Sequence, residues 1–283
     1  MNAALQIVGR KNPAVLPVSS RFGVFKPEHE QNTRAQKVES NAILDEMEKT
    51  WNAFYFRTRH CEQQIVYFQG APLIRKKYSA KDIEMFSLSL IDLPKRDWFY
   101  GSIGFFLSAL INRSDDSKFI LHMGNLTEPI SNLGYMNSKS IVIIGSVGDS
   151  VGDEMNGGSL VVRGNARDNA GMWLNGGIIT IEGDTGDNLG NLMKRGLIIV
   201  KKSAGDMVGN GMSSGKIIVN MDAGTHAGWD MKGGVITVKG DTGEDVGNGM
   251  ENGTIRINGQ YGGISELFHG GRIFHKRKLI LDK

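Results

Sequence analysis

The sequence predicts an all-β chain, a single-stranded right-handed parallel β-helix of 19-residue coils, preceded by a smaller α+β region. Three observations carry this prediction. Glycine recurs every 19 residues, a pair of alternating apolar residues recurs in the same register, and proline stops where the repeat begins. Of the 38 glycines, 30 lie between Gly134 and Gly263, whereas all six prolines precede residue 130.

The change in composition near Pro129 predicts a domain boundary. We expect a mobile N-terminal segment at 1–40, a small α+β region at 41–128 that caps the solenoid, the β-helix at 129–263, and a C-terminal cap or tail at 264–283. A solenoid needs such caps, because no coil can bury its own apolar edge.

Within the capping region, Ile43, Leu44, Met47 and Trp51 fall at helical spacing and predict an amphipathic helix. The β-branched and aromatic runs that follow predict a hairpin from 53–59 and 64–69. Further on, we expect a short helix capped by Ser79, a helix at 105–111 and a strand at 119–123.

Three glycine columns define the repeat, and each has one member in nearly every coil. The first consists of Gly148, Gly186, Gly205, Gly224, Gly243 and Gly262, with Arg167 as its exception. The second consists of Gly152, Gly171, Gly190, Gly209, Gly228 and Gly247. The third consists of Gly158, Gly177, Gly196, Gly215, Gly234 and Gly253. Glycine in these columns is expected at corners, where positive φ or close backbone approach is required.

Between the third column and the next first column, each coil carries an alternating apolar pair such as Ile198 and Val200. Alternation of β-branched residues is the pattern of a strand with one buried face. A further column is occupied by methionine in five coils, for example Met193, and is expected to pack a corner of the core. Nineteen residues are too few for a strand, a helix and two loops, but they suffice for one solenoid coil.

Charge and cysteine content favour a cytoplasmic protein without nucleic-acid or membrane partners. Residues after 129 carry 16 Lys and Arg against 16 Asp and Glu, so the repeat body is neutral. A nucleic-acid binder would be expected to carry a concentrated basic face. The one cysteine, Cys61, excludes a disulfide framework, and no apolar run approaches the length of a membrane span.

The segment 209–216 is similar to a phosphate-binding loop, but the pattern fails because Ile217 follows Lys216 where Ser or Thr is required. Carboxylates recur in one column, at Asp149, Asp168, Asp187, Asp206 and Glu244. They could hold a cation between coils, but turn structure is the preferred interpretation.

Histidines lack the spacing of metal ligands, and the neighbours His60 and Cys61 would point to opposite faces of a strand. No catalytic, cofactor-binding or metal-binding residue is therefore predicted, and no cofactor.

Three bulky residues interrupt otherwise regular columns and are candidate partner contacts. The alternative is that they are random surface substitutions. They are Arg167, Trp173 and Trp229.

Two stretches, 186–200 and 205–212, resemble the GXGXG solenoid family. That family forms the C-terminal domain of glutamate synthase large subunits. It also forms the solenoid subunit of formylmethanofuran dehydrogenase and of the related formyltransferase/hydrolase complex. The element Met-Lys-Arg-Gly-Leu-Ile-Ile-Val at 193–200 is most similar to this solenoid subunit. Residues 1–78 match no known pattern.

The resemblance implies a noncatalytic structural subunit of a formyl-transfer complex. Other subunits, amidohydrolase-like and formyltransferase-like, would hold the chemistry, with methanofuran or its analogue and tetrahydromethanopterin as formyl carriers. The alternative is a free-standing solenoid module for protein–protein interaction that has diverged from the family. An independent enzyme is the third hypothesis, and no acid, base or nucleophile constellation supports it.

Overall fold

The computed structural model describes residues 42–58, 74, 76–95 and 97–283. The predicted N-terminal segment at 1–40, the second hairpin strand at 64–69 and the pair His60 and Cys61 lie outside these residues. Within the described ranges, three helices precede ten strands in chain order. The helices are α1 (Ala42–Thr58), α2 (Ala80–Ser89) and α3 (Phe99–Arg113). The strands are β1 (Lys118–His122), β2 (Ser140–Ile144), β3 (Asn156–Arg163), β4 (Gly176–Ile181), β5 (Leu197–Val200), β6 (Lys216–Val219), β7 (Val235–Val238), β8 (Thr254–Ile257), β9 (Arg272–His275) and β10 (Lys278–Asp282).

The strands form one sheet in sequence order, which confirms the predicted parallel β-solenoid. Pairing is parallel from β1 to β9, and between β4 and β8 the paired residues of neighbouring strands are 19 positions apart, as Ile198 and Ile217 are. The alternating apolar residues point inward and are fully buried, as Ile198 and Val200 show. The 19-residue period therefore fixes both the pairing register and the core.

Helix α1 continues where the sequence predicted a strand, so the hairpin prediction for 53–59 is wrong up to residue 58. Phe54 extends the helical spacing of Leu44, Met47 and Trp51, and all four side chains are buried. Trp51 contacts Phe106 of α3 edge to face, with ring centroids 5.6 Å apart. Burial of one helical face against α3 outweighs the β-propensity of aromatic residues, which is a weak local preference.

The predictions of the two later helices and of the first strand are confirmed. Ser79 caps α2 in a capping box with Asp82, in which each side chain accepts a hydrogen bond from the other residue's backbone N–H. The predicted helix at 105–111 lies inside α3, and the predicted strand at 119–123 corresponds to β1.

The first strand and first coil have no preceding coil to hydrogen-bond with, so residues of the helices accept hydrogen bonds from their backbone N–H groups. Ser87 Oγ of α2 accepts the N–H of His122 at 3.0 Å, on the open edge of β1. The carbonyl of Tyr100 in α3 accepts the N–H of Ser131 at 2.9 Å. Buried residues of the helices and of the solenoid belong to one continuous hydrophobic core.

At the C-terminal end of the solenoid, the last repeat is one residue shorter than the others, and the chain then reverses its direction. Thr254 pairs with Arg272, 18 positions on, and β9 is still parallel to β8. β10 is antiparallel to β9. The turn between them has positive φ at Lys276 and Arg277, typical of a tight hairpin. The domain limits at 129–263 and 264–283 stay a prediction, and the parallel ladder itself includes β1 and β9.

Candidate partner interface

The acidic column at the corner of the solenoid forms a ladder of hydrogen bonds between coils. Asp168 Oδ1 accepts the backbone N–H of Asp187 at 2.9 Å, and Asp187 Oδ1 accepts that of Asp206 at 2.8 Å. Asp206 Oδ1 in turn accepts the N–H of Thr225 at 2.7 Å. These carboxylates therefore bond the backbone of the next coil, rather than the local turn that the sequence suggested.

The first glycine column exists because of this ladder. A Cβ added to Gly186 would lie 1.9 Å from Asp168 Oδ1, and one added to Gly205 would lie 2.1 Å from Asp187 Oδ1. At Arg167, the exception in the column, the bond from Asp168 N–H to Asp149 Oδ1 lengthens to 3.2 Å. Glycine and aspartate in the Gly-Asp pairs thus act together, one coil apart.

A second ladder runs along the next corner, and it was not recognised in the sequence. Asp184 Oδ1 accepts the N–H of Ser203 at 2.9 Å, and Asp222 Oδ1 accepts that of Asp241 at 2.8 Å. Asp241 Oδ1 accepts the N–H of Gln260 at 2.7 Å. The signal in the sequence was a short polar residue at 165, 184, 203, 222 and 241, one per coil.

The second glycine column serves a different purpose, which Gly190 illustrates. Its φ is +67°, and an added Cβ would lie 2.6 Å from Cδ1 of the core residue Ile217. Glycine is required there both by conformation and by the close approach of the core side chain. Every glycine of the second column has positive φ. The members of the column are Gly152, Gly171, Gly190, Gly209, Gly228 and Gly247.

The acidic corner has a perturbed titration at Asp187. Burial raises the pKa of this carboxyl, the hydrogen bond from the Asp206 N–H opposes the rise, and the charges of Asp206 and Asp168 add to it. Among the residues that the structure describes, no group of three or more His, Cys, Asp or Glu side chains could hold a metal ion. The column's clearest contribution is the hydrogen bonding between coils.

The segment 209–216 is part of the ordinary coil. Its N–H groups bond neighbouring coils, from Gly209 to the Leu189 carbonyl at 2.8 Å and from Gly211 to the Trp229 carbonyl at 2.7 Å. A phosphate-binding loop must instead point its N–H groups at the ligand. Lys216 starts β6 and is exposed.

The three candidate partner contacts do not form one cluster. Arg167 Nη2 lies 3.4 Å from Glu128 Oε2. Trp173 is 39% exposed, has φ of 51°, and shares its column with exposed Leu192 in the next coil. Trp229 stands three coils beyond Trp173, roughly 14 Å along the axis. Their role as partner contacts stays a prediction.

Trp229 is involved in a small polar cluster. Its ring stacks on His226 with centroids 4.9 Å apart. His226 Nδ1 lies 2.9 Å from Thr225 Oγ1, and Nε2 lies 3.5 Å from Asp245 Oδ2. The backbone of His226 has φ of 60°. These contacts hold an unusual corner residue in place.

What we call the outer sheet face consists of the outward side chains at the paired positions of β1–β9. It also includes the three residues that directly follow β4, β5 and β7, which are Glu182, Lys201 and Lys239. Seven cations on it are exposed, against a single carboxylate, Glu182. The cations are Lys118, Arg163, Lys201, Lys216, Lys239, Arg256 and Arg272. Charges counted along the sequence did not reveal this basic face, because the repeat body is neutral as a whole.

The middle of the outer sheet face is aliphatic. Val142, Val161, Ile199 and Ile218 lie in one outward column that only Thr180 interrupts, and all four are partly exposed. In the column beside it, Ile178 is 45% exposed. At the C-terminal end, the Arg256 guanidinium stacks over the Phe274 ring at 5.1 Å from its centroid. The face therefore combines an apolar centre with basic surroundings.

None of the helices within the described residues is long and apolar enough to span a bilayer.

No family model matches the chain, and no curated protein matches it. Among solved structures, four chains match. One belongs to the X-ray crystal structure of the formyltransferase/hydrolase complex from Methylorubrum extorquens in complex with methylofuran. The sequences are 30% identical, the TM-score is 0.48, and the match covers 54% of this chain and 60% of that one.

Proposed function

We propose that this chain is a noncatalytic structural subunit of a formyl-transfer complex, of the formylmethanofuran dehydrogenase or formyltransferase/hydrolase type. The observation that carries the proposal is the element at 193–200. Met193, Ile198 and Val200 are fully buried, whereas Lys194 and Arg195 are exposed. Packing of the core explains the buried residues, but it does not require two adjacent cations at the corner.

A solenoid of this kind is suited to hold other subunits at fixed distances. Its coils are joined by strand pairing and by the two corner ladders, and one core runs from Leu44 to Ile273. About eight turns at roughly 4.8 Å per coil give a rod of about 38 Å. The partners in this proposal are amidohydrolase-like and formyltransferase-like subunits.

The test is affinity purification of the tagged chain from its own cells at native expression, followed by mass spectrometry. Amidohydrolase and formyltransferase subunits are expected to co-purify. The double variant Lys194→Ala/Arg195→Ala should weaken their recovery. Lys232→Ala, in the same column as Lys194 two coils on, is the matched control. A chain that is recovered alone, or with unrelated enzymes, would refute the proposal.

The alternative, a free-standing interaction module, is favoured by the exposed apolar corner at Trp173 and Leu192. Alanine at Arg167, Trp173 and Trp229 should then leave the fold intact and weaken binding to whichever protein co-purifies. A truncation test should remove only residues 1–41. Trp51 and Phe54 are buried in the common core, so a deletion of 1–78 would also unfold the cap.

A further inference from the structure

Charge is separated between the sides of the solenoid in a way that its neutral composition conceals. Seven carboxylates after residue 129 accept backbone N–H groups of the next coil in the two ladders. They are Asp149, Asp168, Asp184, Asp187, Asp206, Asp222 and Asp241. Six of the cations after residue 129 lie on the outer sheet face, and Glu182 is the one carboxylate on that face. Seven of the 16 acidic residues after 129 thus hold the coils together at the corners, while six of the 16 basic residues lie on the outer sheet face.

The cations on the outer sheet face form no ion pair within the described part of the solenoid. Within the described part of the chain, the ion pairs up to 4.0 Å involve none of the seven. Arg256 stacks on Phe274, which leaves its guanidinium edge available for a carboxylate. Like charges on one face repel one another, and an anionic partner would relieve that repulsion.

The aliphatic centre indicates what kind of anion fits. Val161, Ile199 and Ile218 expose branched apolar surface that gains free energy when water is removed. Nucleic acid would be bound through aromatic stacking and phosphate contacts, and Phe274 is the one aromatic residue on this face among the described strands. A protein surface with an apolar centre and carboxylates around it matches both features.

The outer sheet face supplies a large part of the area that such a contact needs. Nine strands about 4.8 Å apart and five residues about 3.3 Å apart give roughly 38 Å by 13 Å. The flat area of the face is about 500 Å², and projecting side chains add to its accessible surface. A standard protein–protein interface buries about 800 Å² per partner. A partner that also reached the corners would complete a standard interface.

We propose that the outer sheet face docks a partner protein through carboxylates that surround an apolar patch. This inference rests on the proposed function, because the partner is taken to be another subunit of the same assembly. Lys201 and Lys239 lie two coils apart in one column and are the residues that best report on the contact. Their amines can be joined directly to carboxylates by a carbodiimide, a reagent that leaves no spacer in the new amide bond.

The experiment uses the full-length chain in the assembly purified from its own cells. Carbodiimide treatment is expected to link Lys201 or Lys239 to Asp or Glu of the partner. The variant Lys201→Glu/Lys239→Glu should weaken partner binding by about tenfold or more, with greater loss at low than at high salt. The control Lys77→Glu/Lys95→Glu changes the net charge equally, in the helical region, and should bind normally. Both variants should keep the thermal unfolding midpoint of the parent.

The outcomes separate this inference from the proposed function. If formyl-transfer subunits co-purify but neither the cross-links nor the variant's binding loss is found, the docking surface is refuted and the structural role stands. If an unrelated protein is cross-linked at these lysines, the docking surface stands and the formyl-transfer role fails. If nuclease treatment releases the bound material, the face binds nucleic acid and the inference is wrong.

Discussion

The carboxylate of Asp168 occupies the space that a side chain on Gly186 would need. Its Oδ1 lies 1.9 Å from the ideal Cβ position of Gly186 while it accepts the N–H of Asp187 at 2.9 Å. An aspartate in one coil thus favours a glycine in the next, and Arg167, one coil after Asp149, is the exception in the column. This relationship explains why Gly and Asp recur together at a spacing of 19 residues.

The first prediction tests that relationship. Gly186→Ala should destabilise the chain by about 1–3 kcal/mol, since the new Cβ displaces the Asp168 carboxylate. Asp168→Ala should cost about 1 kcal/mol for the lost hydrogen bond. The double variant should lose less than the sum of the two, because the clash is gone. Chemical denaturation measures all three, with Gly263→Ala as the control, because a Cβ there meets nothing within 4 Å. Additive effects would contradict the coupling.

The second prediction concerns Ser108 of α3, whose side chain joins the helical region to the first coil. Ser108 Oγ donates to the Gly104 carbonyl at 2.7 Å and accepts the N–H groups of Gly134 and Tyr135 at 2.9 and 3.2 Å. Ser108→Ala leaves both buried N–H groups without this partner, at a cost of about 1–3 kcal/mol. Hydrogen exchange should quicken at 132–136 before it does in β6. Ser102→Ala, in the same helix, should change neither the stability nor the hydrogen exchange at 132–136. Equal exchange rates at 132–136 in the two variants would disprove the role of Ser108 in joining the helical region to the first coil.

The third prediction is a pH dependence at Asp153. Burial raises the pKa of this carboxyl to about 7, and the neighbouring charge of Glu154 adds to the effect. The folded chain therefore favours the protonated acid. The contribution of Asp153 to stability should be greatest below the unfolded pKa of 3.8, fall as the pH rises towards 7, and stay constant above about pH 7.

Asp153→Asn removes this dependence, so its stabilising effect should grow from near zero at pH 4 to as much as about 4 kcal/mol at pH 8. Thermal unfolding at both pH values measures it. Asp230→Asn changes an exposed carboxylate and provides the control. A difference between parent and variant that does not change with pH would rule out the titration.

The fourth prediction concerns a buried hydroxyl. Thr185 is 4% exposed, and its Oγ1 has no hydrogen-bond partner among the described residues. Its column carries Val147, Ala166 and Ala204 in other coils. Thr185→Val should be neutral or stabilising by up to about 1 kcal/mol, because an unpaired polar atom is removed. Thr225→Val breaks the contact with His226 and should be destabilising. A clear loss of stability at Thr185 would show that the hydroxyl is satisfied in solution.

Local patterns predicted the solenoid better than they predicted its cap. A column such as Gly152 to Gly247 repeats the same requirement in every coil, so the signal accumulates along the sequence. The stretch 53–58 occurs only once, and β-propensity gave the wrong answer there. Contact of Trp51 with Phe99 and Phe106, more than 40 residues away, decides the helix, and no local pattern contains that information.

The sequence by itself determined the coil length, the strand register and the buried columns, because in a solenoid neighbours in space are also a fixed distance apart in sequence. Only the tertiary structure decided how α1, α2 and α3 cover the first coil and which side of the coil each charge occupies. Lys201 and Asp206 are five residues apart, yet one lies on the sheet and the other in a corner ladder. Charge counted along the residues after 129 is neutral, and the turning of the coil places part of it on a basic sheet face and part in acidic corners.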